Sequence, residues 1–376
     1  MKPLVFLLAV LVASVVKADD IAIQGLQERV EILTDRWGVA HIYASNEHDL
    51  FFAQGYNAAK DRLFQFEMWR RQATGTMAAI LGRRELKRDI GTRLHLFRRN
   101  LSQELNHYHP RGEAIVNAFV DGINAYIRET EAEPAMLPVE FDLLGIKPGR
   151  WTAAVVISRH QGLLSNVTTE LRLGRAVALV GAKTVKELEW FRPGDPVMQL
   201  DPAIDGALLA IEILDLYRAF RRPVQFKAED IVAEYRGDDK SMALLAGADE
   251  AAIAVGDGSD GTGSNNWVVS GRFTQSGYPY VVNDPHRSVA LPSLRYFVHL
   301  HAPGWNVIGG GEPVLPGVSI GHNEFGGWGL TVFGQDNEDL YVYDTNPADP
   351  GQYRYLDRWE EMQVIRDGIA IKDESP

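Results

Sequence analysis

The chain of 376 residues contains no cysteine. That absence excludes disulfides, thiolate nucleophiles and every zinc or iron–sulfur site built on cysteine ligands. A surplus of basic charge is missing too: 38 lysines and arginines face 50 acidic residues, for a formal net charge of −12. Nucleic acid is thereby excluded as a main partner, because phosphate binding needs a basic surface. The sequence shows no glycine-rich phosphate loop and no internal repeat. Its longest apolar run, Leu4–Val16, is interrupted by Ser14 and falls short of the roughly 20 residues a membrane-spanning helix needs.

What is present begins with that run. Lys2 precedes it and Val16-Lys17-Ala18 follows, with small residues at the two positions a signal peptidase inspects. Residues 1–18 therefore read as an export signal cleaved after Ala18, and the mature protein is expected in the periplasm or secreted, with no stable membrane association. Without disulfides, such a protein must rely on a large core, which this length permits.

Residues 28–44 alternate apolar and polar like strands, and from Glu47 the period becomes helical, with Leu50, Phe51, Tyr56, Leu63, Phe64, Phe66 and Met68 on one stripe interrupted by Gly55. The pattern stays largely helical over 80–235, broken at prolines such as Pro110, Pro134 and Pro148. Beyond an alanine-rich stretch, Gly256-Asp257-Gly258-Ser259-Asp260-Gly261-Thr262-Gly263 has linker composition. Strands are then expected at 267–270, 278–283, 296–301, 305–308, 318–321, 330–333, 340–343 and 364–371. A helical first part and a β-rich second part, divided by a glycine loop, summarise the organisation.

At the division stands Gly263-Ser264-Asn265-Asn266-Trp267, a serine where a flexible loop enters a strand. Centring the following hairpin near Gln275 pairs 270 with 280 and 267 with 283, which brings Ser264 opposite His286. His299 and His301 alternate on another strand without an apparent third ligand, and Asn166 and Asn100 head glycosylation sequons.

Four blocks in order resemble the penicillin acylase family of N-terminal-nucleophile hydrolases. These are Asp35–Ala44 with Ala53–Gln65, Gly263–Trp267, Asn283-Asp284-Pro285-His286, and Gly321–Val332 with Asp336–Tyr341. The resemblance implies an α+β fold, the αββα sandwich, incomplete in this chain. It implies a mostly helical α-chain over 19–235, a spacer over 236–263 and the start of a β-chain over 264–376. It also implies that Ser264 attacks the Gly263 carbonyl, releasing itself as a chain terminus whose α-amine, with a reference pKa of about 7.7–8.0, then serves as base. The product would be an α/β heterodimer from one precursor that cleaves a small N-acyl substrate, a β-lactam or an acyl-homoserine lactone among the candidates.

In this scheme His286 orients the nucleophile and the Val332 backbone N–H stabilises the oxyanion. Asp336, Glu338 and Asp339 with Glu170 form a structural Ca²⁺ site, one per heterodimer. Leu163 and Leu164 are candidates for the acyl pocket, as is Arg287, whose charge replaces the apolar wall of penicillin G-cleaving relatives. The second oxyanion donor is expected beyond Pro376, so the resemblance also implies a fragment inactive by itself. Two other readings stay open: a secreted, calcium-stabilised binding protein that is never cleaved, and a hydrolase using Ser264 and His286 in an intact chain.

Overall fold

The structure, a computed structural model, describes residues 20–158, 166–189, 194–237, 264–286, 291–331 and 336–374. The expected signal peptide, most of the spacer with Gly263, and Leu163, Leu164, Arg287 and Val332 lie outside the described residues. Among the described residues, no helix is long and apolar enough to cross a membrane.

Two strands open the chain, β1 (Glu31–Thr34) and β2 (Ala40–Tyr43), joined by a turn in which the Asp35 carboxylate accepts the Trp37 and Val39 amides at 2.8 and 2.9 Å. Helix α1 (Glu47–Thr74) follows, its first turn capped by the Asn46 side chain and its end closed by Gly75. Phe51, Phe52, Leu63, Phe66 and Met68 are all but inaccessible to solvent, so α1 is the central element of the core.

Gly55, read from sequence as a break in the stripe, is where α5 (Gly112–Ala132) comes closest. A Cβ on Gly55 would lie 2.0 Å from the Phe119 carbonyl oxygen, and one on Gly122 would lie 1.9 Å from that of Phe52. The two helices meet backbone to backbone, which only glycine at these positions allows.

A six-stranded sheet of order β1-β2-β5-β6-β7-β8 lies under this pair. Its later members are β5 (Tyr296–Ala302), β6 (Trp305–Gly311), β7 (Ile320–Asn323) and β8 (Gly327–Trp328). Strand β2 runs parallel to β5, and the other neighbours are antiparallel. Along β5, Tyr296, Val298, Leu300 and Ala302 are buried in alternation, joining Ile42 and the α1 aromatics in one core. Gln54 of α1, fully buried, exchanges two 2.9 Å hydrogen bonds with the backbone of Gly317.

The architecture is thus α+β, with helices layered on one face of a sheet, which is half of the αββα arrangement. The core draws on both the helical stretch and the strands that follow Ser264. A smaller cluster of Val167, Leu171, Leu214 and Tyr217 gathers around α8 (Asn166–Val180) and α10 (Asp215–Arg221).

Two expected strands are absent: Leu340–Tyr343 and Val364–Ile371 join no ladder among the described residues. Apolar alternation scores a strand whether or not a partner exists. Just past the second segment, the Lys372 amide bonds the Ala78 carbonyl instead. Four strands were missed: β8, and the three of a separate sheet, β9 (Thr345–Asn346), β10 (Asp349–Tyr355) and β11 (Arg358–Glu361). β8 and β9 are two residues each, too short to show alternation, and β10 opens with Asp349-Pro350-Gly351, a turn composition.

Candidate active site

Ser264 is the first residue of β3 (Ser264–Val269), which pairs with β4 (Tyr280–Pro285) in a two-stranded sheet. The register differs by one residue from the hairpin arithmetic. Ser264 faces Pro285, Trp267 faces Val282 and Val269 faces Tyr280, so His286 is not opposite Ser264. The connection is longer than a tight turn at Gln275. It contains a 3₁₀ turn at Gly271–Phe273 and is closed by the Thr274 hydroxyl, which donates to the carbonyls of Gly271 and Tyr278 at 3.0 and 2.7 Å. Among the described residues the last rung is Ser264–Pro285, to which Pro285 brings no N–H.

His286 sits one residue beyond the ladder. Its Nε2 lies 3.1 Å from the Asn265 carboxamide nitrogen and 3.3 Å from Asp284 Oδ2. Asp284 in turn accepts the Asn265 amide at 3.0 Å. Desolvation pushes the Asp284 carboxyl up, but the Asn265 amide and His286 outweigh it and hold it below the usual carboxylate range. Asn265 and Asp284 are functional candidates that sequence reading passed over. The clue was that Asn265 pairs with Asp284, which stands two residues before His286.

Asn283 is a third. Its carboxamide donates to the Asn265 and Leu330 carbonyls at 2.9 and 2.8 Å and accepts the Leu330 amide at 3.0 Å. These bonds join the hairpin to the chain just past β8.

The expected calcium ligands are partly gathered. Asn166 Nδ2 shares its two hydrogens among Glu170 Oε1 at 2.8 Å, Asp336 Oδ1 at 3.0 Å and the Glu338 carbonyl at 2.6 Å. The Glu338 carboxylate turns away to the Tyr217 hydroxyl at 2.7 Å and Arg221 at 3.5 Å. Burial and then that carboxylate push the Tyr217 hydroxyl well up, so it remains a donor. Asp339 faces the Tyr341 hydroxyl at 3.3 Å rather than the cluster.

Two carboxylate oxygens and a carbonyl are the hard donors that suit Ca²⁺, though no group of three or more ligating side chains is arranged to hold a metal among the described residues. The Asn166 carboxamide bridges Glu170, Asp336 and the Glu338 carbonyl, and the Asp339 side chain takes no part in this cluster. Asn166, four residues before Glu170 on one helix face, was legible only as a sequon. Elsewhere, His299 Nδ1 is 3.0 Å from His41 Nδ1 across the parallel β2–β5 pair.

The hairpin that carries Ser264 is tied through Asn283 to the chain past β8, and the sequence blocks around it are those of a family that the chain matches along most of its length. The penicillin amidase family matches residues 29–376, and the chain belongs to it. Penicillin G acylase of Escherichia coli is 28% identical, over 92% of this chain and 43% of its own length. Penicillin acylase 2 proenzyme of Pseudomonas sp. (strain SE83) is 30% identical, over 94% and 42%. Acyl-homoserine lactone acylase QuiP of Pseudomonas aeruginosa is 26% identical, over 94% and 39%. The chain spans less than half the length of these relatives. A solved thermostable penicillin G acylase from Alcaligenes faecalis is 27% identical, covering 46% of this chain and 98% of that one, with a TM-score of 0.38.

Proposed function

We propose that this chain is the front portion of an exported amidohydrolase that frees its own nucleophile by cleavage between Gly263 and Ser264. The observation that carries the reading is the match of the penicillin amidase family to residues 29–376, with Ser264 on β3 beside the strand end that carries Asp284 and His286. A cut immediately before Ser264 breaks no rung of the described sheet. The two resulting chains would also stay together, because the β2–β5 pairing, the Gln54–Gly317 bonds and one shared core all cross the cut.

In cleavage, Ser264 Oγ attacks the Gly263 carbonyl carbon, the peptide nitrogen leaves as the Ser264 amine, and water hydrolyses the ester to leave a Gly263 carboxylate. In turnover, the α-amine takes the hydroxyl proton while Oγ adds to the substrate amide. The amine product departs, and water releases the acid from acyl-Ser264. Val332 is proposed to supply a backbone N–H to the oxyanion, a donor worth roughly 3 kcal/mol in the transition state.

His286 is assigned to orienting the amine and hydroxyl, with Asp284 and Asn265 fixing the imidazole. Glu170, Asp336 and the Glu338 carbonyl would hold a structural Ca²⁺ that ties the two chains and takes no part in bond cleavage. The substrate is a linear N-acyl compound, with Leu163, Leu164 and Arg287 proposed at the acyl pocket. The names of the relatives favour β-lactams and acyl-homoserine lactones as the first to assay.

Intact mass and N-terminal sequencing of the full-length exported gene product test this. Two chains are expected, one beginning at Ser264, and Ser264→Ala should stay uncut and inactive. A folded, active wild type that remains a single chain would sink the proposal.

A further inference from the structure

We infer that Asn283 is a positioning residue that sets where the Ser264 strand stands against the main sheet. The inference rests on Ser264 being the nucleophile. Asn283 lies on β4 opposite Asn266, half-buried, with Ser264 two rungs away along the ladder. Its carboxamide behaves as a short piece of strand. Nδ2 donates one hydrogen to the Leu330 carbonyl and the other to the Asn265 carbonyl, while Oδ1 accepts the Leu330 amide.

Both amide hydrogens are thus committed, and Leu330 is held through its N–H and its C=O at once. Only a primary carboxamide at this reach meets all three demands. Aspartate would present a carboxylate to two carbonyl oxygens, and alanine would leave the Leu330 peptide without either contact.

A second observation is independent of those bonds. Gly329 lies so close to the hairpin that a Cβ on it would sit 2.8 Å from Asn266 Nδ2 and 2.9 Å from Asn283 Cβ and Cγ. The neighbouring Trp328 belongs to β8, at the edge of the six-stranded sheet. The hairpin itself offers little apolar anchorage, since Trp267 and Val268 are 54% and 70% exposed. The Asn283–Leu330 contact, seated against Gly329, therefore fixes the register between the strand that starts with Ser264 and the sheet edge. In acyl transfer, a nucleophile misplaced by about 1 Å loses roughly 100-fold in rate.

The test compares wild type, Ser264→Ala, Asn283→Asp, Asn283→Gln and Gly329→Ala in the full-length protein. Three readouts are followed: thermal melting, the time course of appearance of a chain beginning at Ser264, and turnover of N-acyl-4-nitroanilides of increasing acyl length. Turnover is normalised to the fraction of cleaved chains. Asn283→Asp and Gly329→Ala are expected to fold, to cleave slowly, and to lose kcat by roughly 100-fold with KM little changed.

Asn283→Gln keeps both functional groups on a longer arm and should recover part of kcat. If Asn283→Asp fails to fold, Asn283→Gln carries the test and should still lose kcat by roughly tenfold. Wild-type cleavage and kcat in the folded Asp or Gln variant would overturn the inference while leaving Ser264 in place. An uncut wild type, or an active Ser264→Ala, would instead overturn the reading on which it rests.

Discussion

The α1–α5 pair with its sheet and the β3–β4 hairpin are held by different forces. In the first, Phe51, Phe52 and Phe66 are 1%, 1% and 0% exposed, and apolar burial sets position. In the second, Phe273 and Tyr278 are 70% and 75% exposed, and position is set by directional bonds from Thr274, Asn283 and Asp284. Burial is strong but has no preferred direction. A carboxamide bond is weak, about 1 kcal/mol net, yet it fixes a backbone to within a few tenths of an ångström. The segment proposed to do chemistry is the one positioned by the second kind of contact, where precision of placement counts for more than stability.

The contrast is broken most easily by paired truncations. Phe66→Ala should cost about 3–5 kcal/mol in denaturant unfolding, because the cavity it leaves is closed on all sides. Phe273→Ala should change stability by less than about 0.5 kcal/mol. Similar losses at the two sites would mean that the hairpin is anchored by burial after all.

The helix contact gives a smaller effect of determined sign. Gly122→Ala gains about 1 kcal/mol of helix propensity. It also drives a Cβ to 1.9 Å from the Phe52 carbonyl oxygen, and such overpacking costs about 1–3 kcal/mol. A net loss in the melting temperature is expected, and a rise would show that α1 and α5 can separate freely.

The same contrast governs what could be read from the sequence. Helix α1 was legible because its apolar residues repeat at the helical period, and β5 because Tyr296, Val298, Leu300 and Ala302 alternate. Ser264 was legible because its neighbours carry family blocks. The pairing of Ser264 with Pro285 was not, since the Thr274-centred loop that shifts the register by one residue leaves no periodic mark. Asn166 and Asn283 escaped for the same reason. A carboxamide reveals its role only by the backbone groups it reaches, and those lie 171–172 and 18–47 residues away in the chain.

Acid should separate the two regions with the smallest effects. Asp49, fully buried in the helical layer, accepts the Gln27 and Glu28 amides at 2.9 and 2.8 Å. Desolvation raises its pKa, but those amides with His48 and Asn46 prevail and leave it below the ordinary value. A carboxyl lowered on folding contributes stability above its unfolded pKa of about 3.9, and that contribution is lost as pH falls through the folded value. Asp49→Asn should therefore destabilise near neutral pH, with the gap to wild type closing below about pH 4. The Asp284 carboxyl is lowered in the same direction but is exposed, so solvent screens its worth. Asp284→Asn should leave the acid unfolding profile, followed by circular dichroism, unchanged. An acid profile as sensitive to Asp284 as to Asp49 would show that the hairpin shares the cooperative unit of the core.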